Sequence, residues 1–416
     1  MNATTSSAID RWLVRRIHRW TGHEPIRVVL GWDGTPSPLT MGDLASVIIS
    51  DRRALLNLLL NPEVGFGDAY SEGRIEVKGD LVRLLEAVFR LRQSGKADSL
   101  YARIWSRWLE RIQRNTPRGS RRNIHHHYDL DVDFYKLWLD PRMVYTCAYF
   151  PSSAATLEEA QIAKMEHVCR KLQLQPGETI VEAGCGWGAL ALYMAKHYGV
   201  KVKAFNISHE QILYAREQAA KEGLGRQVEF IEDDYRNIAG RFDVFVSVGM
   251  LEHVGRDHYA ELGRIVRRTI GDSGRGLFHF IGRNQPFPLS AWIRKRIFPG
   301  GYVPTIRQVM DIFEPGNYAV LDVENLRFHY AKTLEHWLDG FEKAADRVRE
   351  RFGPEFVRAW RLYLAGSVAG FRAGTMQLFQ IAFAGSACRK IPWTRAHIYA
   401  QPFEEAKEPA WIRAMS

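Results

Sequence analysis

The chain has 416 residues, of which 46% are hydrophobic and 25% are charged, a balance typical of a folded globular protein and not of a disordered one. Its formal net charge of +10 favours polyanionic partners, such as nucleic acid or an anionic membrane surface. Because a chain of this length exceeds one ordinary hydrophobic core, two or three folding units are expected.

The sequence lacks the usual marks of a membrane-spanning or secreted protein. No uninterrupted apolar run approaches the roughly 20 residues that cross a bilayer. The first residues do not show the ordered basic, apolar and small-residue regions of a secretory signal. The four cysteines have no CxxC spacing, so neither a disulfide framework nor a zinc ribbon is predicted. A cytoplasmic protein with reduced thiols is therefore expected.

Residues 1–95 predict a small α+β unit. The segment WLVRRIHRW has the pattern of a basic amphipathic helix, and IRVVL that of a short strand. The glycine-punctuated run GFGDAYSEGRIEVKGD predicts the end of a helix followed by a hairpin. No cluster of catalytic residue types stands in this unit.

Residues 96–123 predict a basic linker helix. Arginines recur there at three- and four-residue steps along one helical face, with Trp105 and Trp108 among them. These arginines are Arg103, Arg107, Arg111, Arg114 and Arg118. The combination suits an anionic membrane interface, where cations meet lipid phosphates and indoles lie at headgroup depth. A solvated linker helix explains the same pattern, and both interpretations stay open.

From residue 124 to the end, strand and helix patterns alternate as in a doubly wound, mostly parallel α/β sheet. The candidate strands are TIVEA, VKVKAFNI, VEFIEDD, FDVFVSVG, GLFHFIG and AVLDVENL. Helices are predicted at 157–172, 189–198, 209–222 and 258–269, and Thr156 with Glu159 forms a cap-like pair before the first.

The stretch TIVEAGCGWGALALYMAKHY places a glycine turn between an apolar strand and a helix. Glycines let main-chain N–H groups approach a ligand at the positive end of that helix. A dinucleotide site would show GxGxxG and an acid about 20 residues later. Here the loop is GxGxG and the next strand ends in Asn206, which favours the amino-acid end of S-adenosylmethionine. The alternative is a turn that only packs the helix on the strand.

Ligands in such sheets bind beyond the carboxyl ends of the strands, so four loops are predicted to form one rim. They are residues 184–188, 206–211, 233–235 and 250–254. On this rim Asp234 could accept from an adenine amino group while Tyr235 packs beside the base, or Asp234 could simply cap a helix.

Three further positions near this rim are candidate site residues. Glu252 follows a strand that has the pattern of a buried one, or else it is a surface acid beside His253. His279 and Ile281 end another apolar strand, where a purely structural histidine is the alternative. The run HHH at 125–127 is not predicted to bind metal, since adjacent residues cannot all point one way and no acid or cysteine stands at ligand spacing.

Together these segments resemble the cyclopropane fatty acyl phospholipid synthase family, which uses S-adenosylmethionine. The resemblance covers most of residues 124–383 through IHHHYDLDVDFYKLWLDPRMVYTCAYF, VEAGCGWGALALYMAKHYGV, NISHEQ, DDYRN, SVGMLEHVG, FHFIG, WIRKRIFPGGYVP and HYAKTLEHW, in that order. It implies a sheet of the class I methyltransferase type in residues 124–416. The leading stretch FGDAYSEGRIEVKGDL also resembles the smaller domain of phospholipid-acting members, which binds lipid and dimerises.

The resemblance implies two sets of site residues. Cofactor contacts are implied at Tyr145, Thr146, Gly184, Gly186, Gly188, Gln211, Asp234 and Tyr235. A catalytic bicarbonate pocket, with no metal, is implied from Cys147, Glu252, His279, Ile281 and Tyr330. Three positions depart from the family pattern: Glu182 replaces Asp, Ala183 replaces a larger apolar residue, and Ala189 replaces Gly. The longer Glu182 side chain bears on the methionine end of the cofactor.

The implied reaction transfers the S-adenosylmethionine methyl group to the cis double bond of an unsaturated phospholipid acyl chain, and bicarbonate-assisted deprotonation then closes a cyclopropane. One alternative resolves the same cation into a methylene- or methyl-branched chain. A distant alternative is an RNA methyltransferase, although GMLEHVG stands where such enzymes carry an Asn-Pro-Pro-aromatic motif. The implied partners are membrane phospholipid, a transient anionic membrane surface on its inner face and a second copy of the chain, and not nucleic acid. Residues 286–304, rich in aromatic and basic residues, are expected to cap the site, to touch headgroups, or to form an ordinary loop.

Overall fold

The structure is a computed structural model that describes residues 6–20, 25–33, 42–93 and 130–399. The predicted linker helix at 96–123 and the histidine run at 125–127 lie outside the described residues, as does the chain after residue 399.

The leading unit combines a small sheet with flanking helices, which confirms the predicted α+β domain. Its three strands lie in the order β1-β2-β3, with β1 parallel to β2 and β2 antiparallel to β3. In chain order the elements are α1 (Ala8–Trp20), β1 (Ile26–Leu30), β2 (Ala45–Ile49), α2 (Arg52–Leu60), α3 (Pro62–Ser71), β3 (Ile75–Gly79) and α4 (Leu81–Gln93). The helix in WLVRRIHRW and the strand IRVVL are where the sequence predicts them.

The predicted hairpin in residues 65–80 is wrong. This run supplies a single strand, β3, whose antiparallel partner β2 precedes both α2 and α3. Two of the four glycines in this run, Gly65 and Gly67, lie inside α3. A side chain at Gly65 would meet the carbonyl of Asn57, and one at Gly67 would meet the ring of Trp292, so the glycines permit close helix packing.

The second unit is built on a seven-stranded sheet in the order β6-β5-β4-β7-β8-β10-β9. Strand β10 is antiparallel to both of its neighbours, and the other pairs are parallel. The strands are β4 (Thr179–Ala183), β5 (Lys201–Asn206), β6 (Val228–Glu232), β7 (Val244–Val248), β8 (Arg275–Gly282), β9 (Ala319–Asn325) and β10 (Gln377–Ala384). The doubly wound, mostly parallel sheet is confirmed, with all six predicted strands. The sequence analysis missed β10, which inserts between β8 and β9.

Helices cover this sheet and continue beyond it. They are α5 (Val132–Lys136), α6 (Leu157–Leu172), α7 (Ala189–Tyr198), α8 (His209–Lys221), α9 (Tyr259–Ile270), α10 (Ala291–Arg296), α11 (Ile306–Val309), α12 (Arg327–Phe352), α13 (Pro354–Ala373) and α14 (Ala396–Tyr399). The predicted cap of α6 is a complete capping box. The Glu159 N–H donates to Thr156 Oγ1 at 3.3 Å, and the Thr156 N–H donates to Glu159 Oε2 at 2.8 Å.

The two units share packing through α13 and α10. Arg358 of α13 donates to the Tyr70 and Ile75 carbonyls at 2.5 and 2.8 Å and lies over the Tyr70 ring. One hydrophobic cluster contains residues of both units, including Leu84 of the leading one and Trp360 of the other.

The segment 286–304 docks on the leading unit rather than standing apart as a free loop. The Trp292 indole packs on α3 at Gly67, and the Ala291 N–H donates to Glu63 Oε2 at 2.7 Å. Arg296 donates to both carboxylate oxygens of Asp68 at 3.0 Å. Its contact with lipid headgroups stays a prediction. In the described parts of the chain, no helix combines the length and apolar character needed to cross a membrane.

Candidate active site

The four predicted rim loops meet around one cleft at the carboxyl edge of the sheet. Each contributes residues to the cleft wall, which confirms their predicted convergence. Of the eight predicted cofactor contacts, all except Gly188 line this cleft.

Two glycines of the loop after β4 have different surroundings. Gly186 has φ +53° and no heavy atom within 4 Å of the place where a Cβ would stand, so its backbone faces open space. Gly188 begins α7 with φ +89°, and a Cβ there would lie 2.7 Å from the Phe230 ring and 2.8 Å from Ala215 Cβ. The space at Gly186 therefore suits a ligand, whereas Gly188 allows α7 to pack closely on its neighbours.

Polar groups on the second rim loop are linked to the glycine loop. The Asn206 side chain donates to the Gly186 carbonyl at 3.3 Å and to Gln211 Oε1 at 2.7 Å. Since Oε1 of Gln211 is engaged by Asn206, its NH₂ group is the part available to donate to a ligand. Asn206 was not among the predicted contacts, although it ends β5 beside the cleft.

Asp234 both caps a short 3₁₀ helix and lines the cleft. Its Oδ1 accepts from the Arg236 N–H at 3.0 Å, and its Oδ2 accepts from the Arg236 guanidinium at 2.9 Å. Arg236 also lies 4.8 Å from the Tyr235 ring centroid. The capping alternative from the sequence is thus confirmed, and the carboxylate keeps lone pairs that could accept from an adenine amino group.

Two further residues, Lys164 and Glu182, also line the cleft. The Lys164 ammonium donates to Thr146 Oγ1 at 2.9 Å, and Oε2 of Glu182 has no hydrogen-bond partner among the described residues. Burial lowers the pKa of Lys164 to about 8 and raises the pKa of Glu182 to about 8. Sequence reasoning missed Lys164. The spacing in the sequence could have indicated it. Lys164 stands three residues after Gln161 and four before Val168, and so on the same buried face of α6.

Next to this cleft, Glu252 and Ile281 are joined directly. Oε1 of Glu252 accepts from the Ile281 N–H at 2.6 Å, while Oε2 is buried without a partner among the described residues. Burial raises the pKa of Glu252 to about 7. The surface-acid alternative for Glu252 is therefore wrong, because the residue is only 9% exposed.

His279 stands two residues before Ile281 on the same face of β8. Its Nδ1 lies 3.0 Å from the side-chain nitrogen of Gln380 on β10, and its Nε2 is buried without a partner in the described structure. Burial also lowers the pKa of His279 well below its usual range, so the ring is neutral. Because Gln380 donates to Nδ1, the proton of the neutral ring is on Nε2, which becomes a donor.

Cys147 and Tyr330 lie in one hydrophobic cluster that also touches Ile281. The Cys147 thiol donates to the Ala148 carbonyl at 3.1 Å, and burial raises its pKa, so it is a neutral thiol. The following N–H, of Ala148, donates to Thr333 Oγ1 at 3.0 Å, one helical turn from Tyr330 on α12. None of the five predicted pocket residues lines the cofactor cleft. Cys147 follows Thr146, which does, and Glu252 precedes His253, which also does.

A sheet with this strand order, a glycine loop after its central β4 and a cleft at its carboxyl edge defines a class I S-adenosylmethionine-dependent methyltransferase, and this chain is one. Its residue set fits that cofactor. The cleft has open backbone at Gly186, an acid and an aromatic ring at Asp234 and Tyr235, and a Glu182 oxygen with no hydrogen-bond partner in the described part of the chain.

Residues 86–381 match the family model described as mycolic acid cyclopropane synthetase, and the chain belongs to that family. Residues 17–99 match a second model, a domain of unknown function. The chain is 40% identical to the cyclopropane-fatty-acyl-phospholipid synthase of Escherichia coli over 62% of its own length and 66% of that protein. It is 33% identical to a tuberculostearic acid methyltransferase of Mycobacterium tuberculosis over 91% of each chain.

Among solved structures, the chain resembles a mycolic acid cyclopropane synthase complexed with SAH and CTAB. The two are 31% identical with a TM-score of 0.60, over 63% of this chain and 97% of that one. The family resemblance from the sequence motifs is therefore confirmed, as is the class I methyltransferase fold.

Proposed function

We propose that this protein adds a methyl group to the cis double bond of an unsaturated phospholipid acyl chain, and that a bicarbonate-assisted loss of a proton closes a cyclopropane. S-adenosylmethionine supplies an electrophilic methyl group on a sulfonium. The observation that carries this proposal is that two buried polar atoms near the cofactor cleft, Glu252 Oε2 and His279 Nε2, have no hydrogen-bond partner among the residues that the structure describes. Support also comes from the named activity of the Escherichia coli relative.

An isolated alkene is a weak nucleophile, so it must be held against the methyl donor in a near-attack position. Methyl addition leaves a positive charge on the acyl chain. Aromatic faces stabilise such a charge by cation–π attraction, about 0.5 to 2 kcal/mol each. The ring centroid of Tyr145, which lines the cleft, lies 5.1 Å from that of Trp337, and the ring centroid of Tyr330 lies 4.6 Å from that of Phe371. These rings belong to or pack against the cluster that contains Cys147.

The surroundings must stabilise the cation without capturing it, because a thiolate or water would add to it. Cys147 is fully buried, and its raised pKa keeps the sulfur protonated. A neutral thiol that donates to the Ala148 carbonyl is a poor competitor for the cation.

The ring closes when a base removes a proton from the new methyl group. Bicarbonate, bound between Glu252 Oε2 and His279 Nε2, would supply a small base. The residue set fits this anion, since neutral His279 presents an N–H donor at Nε2 and Glu252 presents an acceptor for the bicarbonate O–H. In this proposal the Tyr330 hydroxyl and the backbones of Cys147 and Ile281 complete the pocket.

The acyl chain would be reached from an anionic membrane surface. The leading domain carries exposed apolar side chains on two adjacent helices: Ile9 and Trp12 on α1, and Leu56 and Leu60 on α2. The exposed Arg11, Arg15 and Arg53 stand among them. The acid of these two helices, Asp10, is buried and paired with Arg52. Such a mixture suits the headgroup region of a bilayer. Homodimerisation and the absence of nucleic-acid binding stay predictions.

A second candidate product is favoured by a specific observation. The tuberculostearic acid methyltransferase aligns over 91% of both chains, leading domain included. In the same methyl addition, a hydride shift can first move the positive charge to the carbon that carries the new methyl group. Loss of a proton from that methyl group then gives a methylene-branched chain. Both outcomes need the same cleft and the same loss of a methyl proton, and they differ in whether the hydride shift comes first.

The product separates these candidates. The protein is incubated with S-adenosylmethionine, bicarbonate and vesicles of unsaturated phospholipid, and the released acyl chains are studied by mass spectrometry and proton NMR. A gain of one methylene unit with the upfield signals of a cyclopropane is expected. Vinylidene signals would identify the branched product instead. An unmodified acyl chain, with methylated RNA in a parallel incubation, would overturn both lipid proposals.

A further inference from the structure

The segment 144–150 joins the cofactor cleft to the pocket proposed for bicarbonate. Tyr145 and Thr146 line the cleft, and Cys147 follows them in the chain. Side chains of two helices, α6 and α12, hydrogen-bond to the backbone of this segment. The place of Cys147 in the pocket therefore depends on the bonds that fix the peptide groups on either side of it.

Helix α6 anchors the part of the segment that precedes Cys147. Nε2 of Gln161 donates to the Thr146 carbonyl at 2.9 Å and to the Val144 carbonyl at 3.3 Å. The Lys164 ammonium donates to the Thr146 hydroxyl at 2.9 Å. The residues that line the cofactor cleft are thus attached to α6.

Helix α12 anchors the peptide group that follows Cys147, through the hydroxyl of Thr333. This hydroxyl donates to the His329 carbonyl at 2.7 Å, which leaves Oγ1 as the acceptor for the Ala148 N–H at 3.0 Å. Because a peptide group is planar, a fixed Ala148 N–H also fixes the direction of the Cys147 carbonyl. Thr333 and Ala148 are both 0% exposed, so bulk water cannot replace this bond.

Thr333 also acts on the side chain of Cys147. Burial raises the pKa of the Cys147 thiol, and the charge of Lys164 and a hydrogen bond from Thr333 partly offset that rise. One hydroxyl therefore contacts both the thiol and the peptide group of the same pocket residue. Valine has nearly the shape of threonine but would remove both contacts.

The same part of α12 carries Tyr330, another residue of the proposed pocket. His329, directly before it, makes a second bond to the segment, since the Phe150 N–H donates to His329 Nδ1 at 2.9 Å. Burial lowers the pKa of His329, which favours the neutral ring that this bond requires. Helix α12 therefore holds Tyr330 and the backbone after Cys147 in one fixed arrangement.

We propose that Thr333 is a positioning residue for the bicarbonate pocket, and that His329 supports it. This inference rests on the proposed function, because the anion to be positioned is the proposed base. Thr333 acts through the Ala148 N–H and the Cys147 thiol, which it fixes relative to Tyr330. It does not line the cofactor cleft, so its loss should spare cofactor binding.

The test removes the Thr333 hydroxyl and keeps the volume of the side chain. Thr333→Val removes the acceptor, and Thr333→Ser keeps it. Thr269→Val is the matched control, because Thr269 on α9 is also 0% exposed and its hydroxyl donates to the carbonyl four residues earlier, of Ile265, at 3.0 Å.

Three quantities are measured on each protein. Turnover is followed against bicarbonate concentration in buffer freed of carbon dioxide, at saturating S-adenosylmethionine and unsaturated phospholipid. Calorimetry gives the affinity for S-adenosylhomocysteine. Hydrogen exchange with mass spectrometry follows the amides of residues 147–150 in the absence of any substrate.

Thr333→Val is expected to raise the bicarbonate concentration for half-maximal turnover about tenfold, since a buried N–H loses its acceptor. Hydrogen exchange of the peptide that contains Ala148 should become about tenfold faster. The dissociation constant for S-adenosylhomocysteine should stay within about twofold, because α6 still holds the cofactor part of the segment. Thr333→Ser and Thr269→Val should resemble the parent in all three measurements.

Parent-like bicarbonate dependence in Thr333→Val would overturn the proposal, and so would an equal change in Thr269→Val. A matching loss of S-adenosylhomocysteine affinity would contradict the separate anchoring of the two parts. If Thr333→Val does not fold, His329 decides. His329→Asn keeps an acceptor near Nδ1 and should need less bicarbonate than His329→Leu, whereas equal requirements would overturn the proposal.

The failure of the proposed function would look different. Turnover of the parent that is independent of bicarbonate would overturn bicarbonate as the base. Hydrogen exchange needs no substrate, so it would still decide whether Thr333 holds the Ala148 peptide group.

Discussion

One oxygen of the Glu252 carboxylate accepts a hydrogen bond from the main-chain N–H of Ile281, at 2.6 Å. The other oxygen is buried and has no hydrogen-bond partner in the described structure. This hydrogen bond ties the loop after β7 to the end of β8. One oxygen therefore positions the strand end, and the other is available for chemistry.

Replacing Glu252 with Gln tests whether the two oxygens have these separate roles. The amide oxygen can still accept from Ile281, but the side chain can no longer take up a proton. Turnover of unsaturated phospholipid is expected to fall at least about 100-fold. The dissociation constant for S-adenosylhomocysteine, measured by calorimetry, should stay within about twofold because Glu252 does not line the cofactor cleft. The exposed Glu210→Gln is the control, and parent-like turnover of Glu252→Gln would remove Glu252 from the mechanism.

The same carboxylate predicts the acid limb of the pH profile. Burial raises the pKa of Glu252 to about 7, and only the ionised form can accept the bicarbonate proton. Turnover measured at constant bicarbonate concentration should therefore fall about tenfold per pH unit below pH 7. The neighbouring His253 is neutral throughout, since burial lowers its pKa to about 4, and burial raises the pKa of nearby Tyr259. An identical acid limb in Glu252→Gln would assign it to another group.

Glu182→Gln is expected to stabilise the cofactor-free protein at alkaline pH. Folding raises the pKa of Glu182 from 4.5 to about 8, against the opposing charge of Lys164. The stabilising preference for the protonated acid is fully present below pH 4.5 and is lost as pH rises through about 8, at about 1.4 kcal/mol per pKa unit. The melting temperatures of parent and variant should agree at pH 4 and separate at pH 8.5, with the variant higher. A variant that melts lower at pH 8.5 would contradict this sign.

Gln380 is predicted to act through His279 as a positioning residue. Its side chain donates to Nδ1 and so fixes the ring with its proton on Nε2. Gln380→Leu should lower turnover about tenfold or more, with cofactor affinity unchanged. In a double-mutant cycle, adding Gln380→Leu to His279→Ala should cause little further loss, because the partner it serves is already gone. Additive losses in the cycle would show that Gln380 acts independently of His279.

Membrane attachment is predicted to depend on the exposed face of α1 and α2. Trp12 and Leu60 are 48% and 83% exposed there, and arginines surround them. The parent should sediment with anionic vesicles at low ionic strength and be released by salt. A Trp12→Ala, Leu60→Ser double variant should bind about tenfold more weakly. Trp393→Ala, which removes a fully exposed tryptophan outside these helices, should bind like the parent. Salt-independent binding would exclude the electrostatic part.

The sequence was sufficient wherever local pattern decides structure. Mostly apolar strands, such as TIVEA, and the Thr156–Glu159 cap appear where predicted, because neighbouring residues alone dictate their backbone. The four rim loops followed from a topological rule: parallel strands direct their carboxyl ends to one edge. The spacing and order of the motifs were enough to predict the class of enzyme.

Tertiary structure decided what depends on partners distant in the chain. The glycines of α3 suggested a turn by their local pattern, yet they serve packing against Asn57 and Trp292. Strand β10 takes its place from pairing with β8 and β9, which brings Gln380 to His279. Local sequence could not show that Lys164 and Glu182 share a cleft without pairing, because their burial and their missing partners exist only once α6 and β4 pack together.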